Sequence, residues 1–535
     1  MSELIRALMR PEAYDPPEAE VTLLETHISW VLLAGAHAYK IKKPVNFGFI
    51  DFSSPARRAE ACATELRLNR RFNPDLYLAC QPIHGPLPQA AFHGDGPVIE
   101  QAVKMRRFRQ QDLLPAVLQR GGVGAAAIER LADELARVHA AAPVAPAGGP
   151  YGTPEAVQRP VLETFEALAR CGVPNARLAP LRAWCADRHA ALTPRFRARL
   201  EGGAVRECHG DLHLGNMVMR QGRIELFDGL EFSAALRWID VISEIAFLAM
   251  DLRQRRAPAL AMRLLNRWLE QSGQHEALDL WPWYLTYRAL VRAKVAALSG
   301  PAGQASADAG VLGYLDLAAT PMAAPPRALV LMHGLSGSGK SHLARELAPA
   351  LGLIRLSSDI ERKRLFGLWG VGWSAGGSPG AVPVSTPELY QPDVSRRLFE
   401  EVLPRLAAAA LAGGCPVLID ATFLRRSHRS RMQAFAERHG VPFAIVACQA
   451  SEQQLQRRLQ QRDRERQQGL PVASDADASL LPAQRRELEP LSEAERRRAL
   501  LHRQGESIEP LMQALSRRLG LARLPEGPAA AGAAH

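Results

Sequence analysis

Gly334-Leu335-Ser336-Gly337-Ser338-Gly339-Lys340-Ser341 is the segment of this 535-residue chain that gives the clearest structural signal. It fits the pattern G-x-x-x-x-G-K-[ST], with an apolar run at 328–332 before it and a helical pattern at 342–348 after it. A strand, a glycine-rich loop and a helix in this order cradle phosphates, because backbone N–H groups and the helix N-terminus point at phosphate oxygens. A glycine-rich turn that binds nothing is the alternative. We predict an ATP site whose contacts are Gly334, Ser336, Gly337, Ser338, Gly339, Lys340 and Ser341.

The residues around this loop predict a nucleotide-binding α/β domain. Lys340 is expected to reach the β- and γ-phosphates, and the Ser341 hydroxyl is expected to bind Mg²⁺. Asp420 ends a second apolar strand and is a candidate Mg²⁺ ligand acting through water, although a strand-end turn aspartate is the alternative. Strand and helix patterns alternate to the end of the chain, which predicts a parallel sheet covered by helices on both faces.

The first half of the chain has a different organisation. Residues 20–50 read as three short strands, a helix follows from Pro55 to about Phe72, and two further strands complete a small β-rich lobe. From about Asp112 the pattern is mostly helical. Residues 299–327 are rich in Gly, Ala, Ser and Pro, a linker composition. We therefore predict a first domain at 1–318, a linker at 319–327, a second domain at 328–522 and a disordered tail at 523–535.

Composition limits the functional classes. The net charge is +11, yet only seven of the 66 basic residues are lysine and arginine is spread throughout, so the charge by itself is weak support for a nucleic-acid partner. The seven cysteines are scattered without a C-x-x-C pair, which favours a reducing compartment over a disulfide framework. No apolar run approaches the length of a membrane span. We expect a cytoplasmic protein without a membrane partner.

A second constellation lies in the first half, where His209-Gly210-Asp211-Leu212-His213-Leu214-Gly215-Asn216 is followed by a strand that ends at Asp228. Phosphoryl transfer needs a carboxylate that orients or deprotonates the acceptor hydroxyl, and metal ligands that hold the phosphates. Asp211 suits the first role, and Asn216 and Asp228 suit the second. The two histidines as a metal pair, and Asp228 as an ordinary turn residue, are the alternatives.

This half resembles the aminoglycoside phosphotransferase family, whose fold is similar to that of protein kinases, because H-G-D-x-H-x-x-N followed by an apolar strand ending in Asp is its signature. The resemblance implies a bilobal α+β domain with Asp211 as catalytic base and Asn216 and Asp228 as Mg²⁺ ligands. It also implies an ATP-binding lysine on the third strand, Lys40, paired with a helix glutamate, Glu65.

Several details of that resemblance stay open. Lys42 shares the strand face of Lys40 and is the fallback for the ATP lysine, and Glu60 is the fallback for Glu65. The lysines could also form one solvated strand face. The adenine is expected near residues 100–105. No G-x-G-x-x-G lies between the first two strands, so phosphate contacts from that loop are unassigned.

The second half resembles small P-loop kinases, including polynucleotide 5′-hydroxyl kinases and gluconate-kinase-like enzymes, with AAA-type and zeta-toxin-like ATP-binding domains as relatives. Asp359 follows the second strand, as does the acid that activates the acceptor hydroxyl in those enzymes. The resemblance implies Asp359 as base, Arg362 as an acceptor contact, and Arg458 and Arg462 as lid arginines for ATP. A helix-capping aspartate with solvated arginines is the alternative.

Taken together, the sequence predicts a bifunctional ATP-dependent phosphotransferase. Each domain would transfer the γ-phosphoryl group of Mg·ATP to a hydroxyl of a small-molecule acceptor, with ATP and Mg²⁺ as cofactors. Two other functions stay open: one ATP site serves only as a nucleotide-binding or regulatory module, or the second domain is a nucleic-acid 5′-hydroxyl kinase.

Overall fold

The computed structural model describes residues 2–48, 50–299, 308–323, 326–371, 386–468 and 480–528. Within these ranges the chain forms a bilobal α+β part followed by a part built on a parallel sheet, as the sequence predicts. None of the helices in these ranges has the length and apolar character needed to cross a bilayer.

A five-stranded antiparallel sheet, ordered β1-β2-β3-β5-β4, forms the first lobe and contains the predicted three-strand meander. Helix α2 packs on β4 and β5, and it begins where the Ser54 hydroxyl accepts a hydrogen bond from the Arg57 N–H. The elements are α1 (Glu3–Leu8), β1 (Val21–Glu25), β2 (Ser29–Ala34), β3 (His37–Lys42), α2 (Pro55–Arg70), β4 (Tyr77–His84) and β5 (Val98–Arg106).

The second lobe is helical and contains two small antiparallel strand pairs, β6 with β9 and β7 with β8. Its longest apolar helices, α8 and α10, pack against each other in the core. The elements are α3 (Leu114–Gln119), α4 (Ala125–Ala141), α5 (Pro154–Arg170), α6 (Asn175–Glu201), β6 (Val205–Glu207), β7 (Met217–Arg220), β8 (Arg223–Leu226), α7 (Ala234–Arg237), β9 (Trp238–Asp240), α8 (Val241–Gln254), α9 (Pro258–Ser272), α10 (Trp281–Ser299) and α11 (Ala309–Ala319).

The last part is a five-stranded sheet with order β11-β12-β10-β13-β14, and every neighbouring pair is parallel. Parallel pairing places the carboxyl ends of β10, β11 and β12 at one edge, where ligands bind in such folds. The elements are β10 (Leu329–His333), α12 (Lys340–Ala350), β11 (Ile354–Ser357), α13 (Ser358–Arg364), α14 (Thr386–Leu389), α15 (Pro392–Arg397), α16 (Leu403–Ala412), β12 (Val417–Asp420), α17 (Arg426–Arg438), β13 (Phe443–Gln449), α18 (Glu452–Gln467), α19 (Leu481–Glu487), α20 (Glu493–Arg498), β14 (Ala499–Arg503) and α21 (Glu509–Leu519).

The segment with linker composition contains a helix. Within the segment 299–327, α11 forms at Ala309–Ala319 and buries Val311, Tyr314 and Leu315 against the helical lobe. Its first turn is capped by Asp308, whose carboxylate accepts a hydrogen bond from the Val311 N–H. The expectation of a loose segment from residue 299 is therefore wrong at α11, because burial of apolar side chains outweighs the low-complexity composition.

The predicted disordered tail also begins as packed chain. The Leu524 N–H donates to the Ala350 carbonyl in the last part, and the Pro525 carbonyl accepts from the Ala259 N–H in α9. Residues 523–528 thus lie against both halves of the chain, and the disorder predicted for them is wrong. The remainder of the predicted tail, 529–535, falls outside the described residues.

The two halves share an interface centred on α9. This helix packs on α4 and α8 within its own lobe, and on α12 and β11 of the parallel-sheet part. One apolar core cluster includes Trp268 of α9 together with Ile354 of β11 and Val417 of β12. Because the apolar core is continuous across this boundary, α9 holds a fixed position against both halves.

Candidate functional sites

The first candidate site begins at the middle of β3. Lys40 Nζ donates to Glu65 Oε1 of α2 at 2.9 Å and also contacts the Asp228 carboxylate. The predicted pairing of Lys40 with Glu65 is present. Burial lowers the pKa of Lys40, but the charges of Asp228 and Glu65 raise it well above its ordinary value, so the ammonium stays charged.

Lys42 lies on the same strand face but is fully buried. Its ammonium contacts the second oxygen of Glu65 and the carboxylate of Glu231. Burial lowers the pKa of Lys42, while Glu231 and Glu65 raise it above its ordinary value. The fallback lysine therefore belongs to a closed buried ion-pair network, and Lys40 is the one that reaches Asp228.

Asp228 has an uncommon backbone conformation, with φ at +62°, and its N–H donates to the Tyr77 hydroxyl at 2.8 Å. Burial raises the pKa of its carboxyl group, but the nearby Lys40 charge lowers it below the ordinary value. A non-glycine residue held in this region stores strain that clusters at functional sites. The strain favours a functional interpretation of Asp228 over an ordinary turn.

The loop before β7 places Asn216 beside Asp211. Asn216 Nδ2 donates to both the carbonyl and the carboxylate of Asp211, each at 3.0 Å. His213 Nδ1 accepts from the Gly215 N–H, which leaves the proton on Nε2, 3.4 Å from Asp211 Oδ2. Burial raises the pKa of Asp211, but the His213 hydrogen bond and nearby positive charge lower it to about 2. The carboxylate is therefore ionised at neutral pH.

The histidines of this loop have structural partners. His209 Nε2 hydrogen-bonds the Phe227 carbonyl at 2.9 Å, and its Nδ1 accepts from the Asp211 N–H. Burial lowers the pKa of His209, so the ring is neutral. With both nitrogens of His209 and Nδ1 of His213 engaged, the alternative of a histidine metal pair is not supported.

A buried hydrogen-bonded network of three side chains, which the sequence did not indicate, supports the same loop. Glu244 Oε1 accepts from the Gly210 N–H at 2.7 Å, and its other oxygen lies 2.8 Å from His139 Nε2. Trp268 Nε1 in turn donates to His139 Nδ1 at 3.3 Å. Glu244, His139 and Trp268 come from three separate helices, so no local pattern could identify them.

The adenine expectation needs a correction. Residues 100–105 lie inside β5 and not in a connection, and Glu100 forms a buried ion pair with Arg58 of α2. The backbone of these residues is thus paired within the sheet. An adenine position at these residues is not supported, because the strand pairs with β3 on one edge and β4 on the other.

The second candidate site is the loop between β10 and α12. Gly334 has φ at +135°, and a Cβ there would lie 2.5 Å from the Cys448 carbonyl oxygen, so only glycine fits. Gly339 is the N-cap of α12 with φ at +93°. Lys340 Nζ donates to the Leu335 carbonyl at 2.7 Å, and burial lowers its pKa. These features have the form of a phosphate cradle.

Ser341 and Asp420 meet at the carboxyl edge of the sheet. Ser341 Oγ donates to Asp420 Oδ1 at 3.1 Å, and Arg355 donates to Asp420 Oδ2 at 2.6 Å. Oxygen atoms are the ligands that Mg²⁺ prefers. The second site offers the Ser341 hydroxyl and the Asp420 carboxylate, and the first site offers the Asn216 amide oxygen and the Asp228 carboxylate. Both donor sets fit the ion that the sequence predicts.

A cavity of about 760 Å³ opens over the loop. Asp359 lies in the first turn of α13, but the helix cap is Ser357, whose hydroxyl accepts from the Ile360 N–H, so the capping alternative for Asp359 is wrong. Arg458 donates to the Gly337 carbonyl at 3.1 Å. Of the sequence-predicted residues, the cavity brings together Ser336, Gly337, Gly339, Lys340, Ser341, Asp359, Arg362, Asp420, Arg458 and Arg462.

Two wall residues of this cavity are already engaged. Arg362 donates to the Leu389 carbonyl at 2.8 Å and to Ser395 Oγ at 3.1 Å, so its role as an acceptor contact stays a prediction. Gln484 of α19, which the sequence did not indicate, accepts from the Ser336 N–H at 2.9 Å and donates to Ser336 Oγ at 2.8 Å. Gln484 thus occupies the N–H of Ser336, a loop residue that the sequence predicts as an ATP contact.

Known families match both halves. Residues 49–281 match the phosphotransferase enzyme family, and residues 329–491 match an AAA-domain family. The fold and sites define a two-domain protein of the kinase type, a phosphotransferase-family domain followed by a P-loop kinase domain. The chain is 30% identical over 409 residues to the uncharacterized protein Rv2004c of Mycobacterium tuberculosis and to the uncharacterized protein Mb2027c of Mycobacterium bovis, covering 76% of this chain and 79% of each relative. It belongs to the family of these mycobacterial proteins.

Several solved structures are similar to parts of the chain. The amicoumacin kinase hAmiN, in complex with AMP-PNP, Ca²⁺ and Ami, is 14% identical, with a TM-score of 0.35 over 58% of this chain and 89% of its own. A choline/ethanolamine kinase family protein from Mesorhizobium loti is 11% identical, with a TM-score of 0.34 over 56% and 92%. A putative kinase from Chloroflexus aurantiacus is 21% identical, with a TM-score of 0.26 over 36% and 99%.

Proposed function

We propose that the chain is a bifunctional ATP-dependent phosphotransferase. Each domain transfers the γ-phosphoryl group of Mg·ATP to a hydroxyl of a small-molecule acceptor, and the domains span 1–318 and 328–522. The main support is that each half assembles its own carboxylate, lysine and metal-ligand set, at Lys40–Asp228 in one and Lys340–Asp420 in the other. A cytoplasmic location, favoured by the free thiols, is part of the proposal.

In the first domain, Asp211 acts on the acceptor. Its low pKa keeps the carboxylate ionised, so it can orient the acceptor hydroxyl. It accepts the hydroxyl proton as the acceptor oxygen bonds to the γ-phosphorus and the bond from that phosphorus to ADP, the leaving group, breaks. Asn216 holds that carboxylate through its amide N–H. Lys40 binds ATP phosphate oxygens, and Asn216 and Asp228 hold Mg²⁺. When bound, the ion neutralises charge on the phosphates in either domain.

In the second domain, the loop N–H groups and Lys340 bind the β- and γ-phosphates, and Arg458 and Arg462 stabilise the transferring group from α18. Ser341 and Asp420 hold Mg²⁺, the latter through water. Asp359 orients and deprotonates the acceptor hydroxyl. Gln484 leaves the Ser336 N–H when ATP binds, since both compete for the same donor.

The acceptor of the first domain is proposed to be neutral or anionic. Arg292 of α10 lies 3.4 Å from His213 Nε2, next to the Asp211 carboxylate that receives the acceptor. A polycationic aminoglycoside would bring like charge to this guanidinium. The positive charge of Arg292 near Asp211 therefore argues against an aminoglycoside acceptor, even though the fold is that of the phosphotransferase family.

An acceptor screen with γ-labelled ATP tests the proposal. The full chain is incubated with pools of neutral and anionic small hydroxyl compounds, aminoglycosides and 5′-hydroxyl oligonucleotides, alongside Asp211→Asn and Lys340→Ala. We expect two labelled small-molecule products, of which each variant loses a different one. Labelled oligonucleotide lost with Lys340→Ala would replace the proposal with a nucleic-acid kinase. A single product, lost in only one variant, would make the other site a nucleotide-binding module.

A further inference from the structure

A buried ion triad crosses the boundary between the two domains. Arg355 of β11 contacts the Glu270 carboxylate of α9, and it donates to Asp420 Oδ2 from Nη2 at 2.6 Å and from Nε at 3.1 Å. Arg355 and Asp420 are each 3% exposed and Glu270 is 8% exposed. The triad therefore lies out of solvent, where charge interactions are weakly screened.

Glu270 is fixed by its own surroundings. Its backbone carbonyl accepts from Arg364 Nη2 at 2.6 Å and from Trp369 Nε1 at 3.1 Å. One turn earlier on α9, Asn266 Oδ1 accepts from the Arg355 N–H at 2.7 Å. These contacts align α9 with β11 so that the Glu270 carboxylate meets the Arg355 guanidinium.

The opposite contacts of α9 hold it against the first active-site loop. Trp268, two residues before Glu270, reaches that loop through His139 and Glu244. A helix braced on both sides has little freedom to relax when one partner is removed. Glu270 thus presents its charge to Arg355 from a rigid support.

The charge balance of the triad matters for metal binding. Arg355 alone beside Asp420 would cancel the carboxylate charge that attracts a cation. Glu270 supplies a second carboxylate to the same guanidinium, and Arg267, which also lies 3.4 Å from Glu270, is neutralised by its own partner Asp133. The cluster of these five side chains therefore keeps a net charge of −1. Asp420 then retains its other oxygen, Oδ1, toward Ser341, the second candidate Mg²⁺ ligand.

We propose that Glu270, a residue of the first domain, is a positioning residue of the P-loop site, holding Arg355 so that Arg355 orients Asp420 for Mg²⁺. The inference rests on the proposed role of Ser341 and Asp420. Outer contacts that orient metal ligands change metal affinity by roughly 10–100-fold when removed. Mg²⁺-dependent nucleotide binding by the second domain therefore depends on a side chain of the first.

The test uses the full chain with Lys40→Ala, which removes the proposed ATP lysine of the first domain, so that nucleotide binding reports on the P-loop site. In this background Glu270→Gln is compared with the parent by titrating a fluorescent ATP analogue with and without Mg²⁺. We expect unchanged affinity without Mg²⁺, and a rise of about tenfold or more in the Mg²⁺ concentration giving half-maximal binding. An unchanged Mg²⁺ requirement would overturn the inference.

Glu346→Gln is the matched control. Glu346 also faces the other domain, 3.4 Å from Arg263, but its side chain is 45% exposed and does not touch the triad. Its Mg²⁺ requirement should equal that of the parent. An equal rise in Glu346→Gln would overturn the inference, because loosening the interface would then explain the effect.

Two further measurements separate a positioning role from general damage. With Lys340→Ala in place of Lys40→Ala, Glu270→Gln should leave turnover of the first domain unchanged, and an equal loss there would overturn the inference. Lys340→Ala added to Asp211→Asn should abolish the remaining turnover. If turnover persists, the proposed function of the P-loop site fails, and the inference fails with it. If only the Mg²⁺ requirement of Glu270→Gln differs from the expected result, the inference fails but the proposed function of the P-loop site is retained.

Discussion

Lys40 Nζ lies 2.9 Å from Glu65 Oε1, and this pair ties the third strand of the antiparallel sheet to helix α2. Lys42, on the same strand face, contacts the other Glu65 oxygen but is closed off from solvent. The two lysines share one glutamate and differ in what else they reach. Lys40 faces Asp228 and the candidate ATP site, whereas Lys42 faces the buried Glu231.

Substitution of the two lysines should therefore have different effects on activity and stability. Lys40→Ala is expected to lower kcat/KM of the first domain by at least about 100-fold, because a phosphate donor is lost. It should reduce the free energy of unfolding less than Lys42→Ala does, because Asp228 is partly exposed and Glu65 keeps Lys42 as a partner. Lys42→Ala should reduce the free energy of unfolding by about 3–5 kcal/mol, because Glu65 and Glu231 lose a buried partner. Kinetics and thermal unfolding in a Lys340→Ala background measure both. Loss of activity in Lys42→Ala, with the larger loss of stability in Lys40→Ala, would instead make Lys42 the ATP lysine.

The pH dependence of the first domain should follow Asp211. Its pKa is held near 2, so kcat/KM should stay level through mildly acidic pH and fall only as the pH approaches that value. Burial raises this pKa and the hydrogen bond from His213 lowers it, so His213→Ala, which removes that donor, should move the acid limb upward by about one unit or more. A pH–rate profile of the Lys340→Ala chain measures the shift. Coincident acid limbs would show that His213 does not control Asp211.

Gly334 tests the phosphate cradle. A Cβ at this position would lie 2.5 Å from the Cys448 carbonyl, so Gly334→Ala should weaken ATP binding at the second site by about tenfold or more. Gly520→Ala is the control, because Gly520 also has positive φ but has nothing within 4 Å of the added Cβ. Equilibrium binding in a Lys40→Ala background reports the difference. Equal affinities in the two variants would argue against a phosphate site at this loop.

Gln484 should compete with ATP. Because its side chain occupies the Ser336 N–H, Gln484→Ala frees a donor whose hydrogen bond contributes about 1 kcal/mol, roughly fivefold in affinity. The variant is expected to bind ATP more tightly at the second site, measured by calorimetry in the same Lys40→Ala background. Weaker binding would instead make Gln484 a nucleotide contact.

Much of the fold was predictable because its signals are local. The loop at Gly334–Ser341, the helix start at Ser54 and the alternation of strands and helices each follow from short patterns. The Lys40–Glu65 contact was also predicted, since a family resemblance supplied the long-range pairing. Helix α11 was missed because its few apolar residues are stabilised by tertiary packing and not by composition.

The unpredicted parts depend on contacts between distant segments. Arg355 reads as an isolated charge in an apolar strand, and only the interface with α9 reveals Glu270 as its partner. Glu244 and His139 lie 105 positions apart and support a loop that neither adjoins. No spacing rule links such residues, because their proximity is a property of the packed helices.

The central claim is that one chain carries two independent phosphotransfer sites. Steady-state ATP turnover of the full chain, of Asp211→Asn, of Lys340→Ala and of the double variant tests it most directly, with the acceptors identified in the screen. We expect each single variant to keep the turnover of one site and the double variant to have none. Complete loss in one single variant together with full turnover in the other would contradict it.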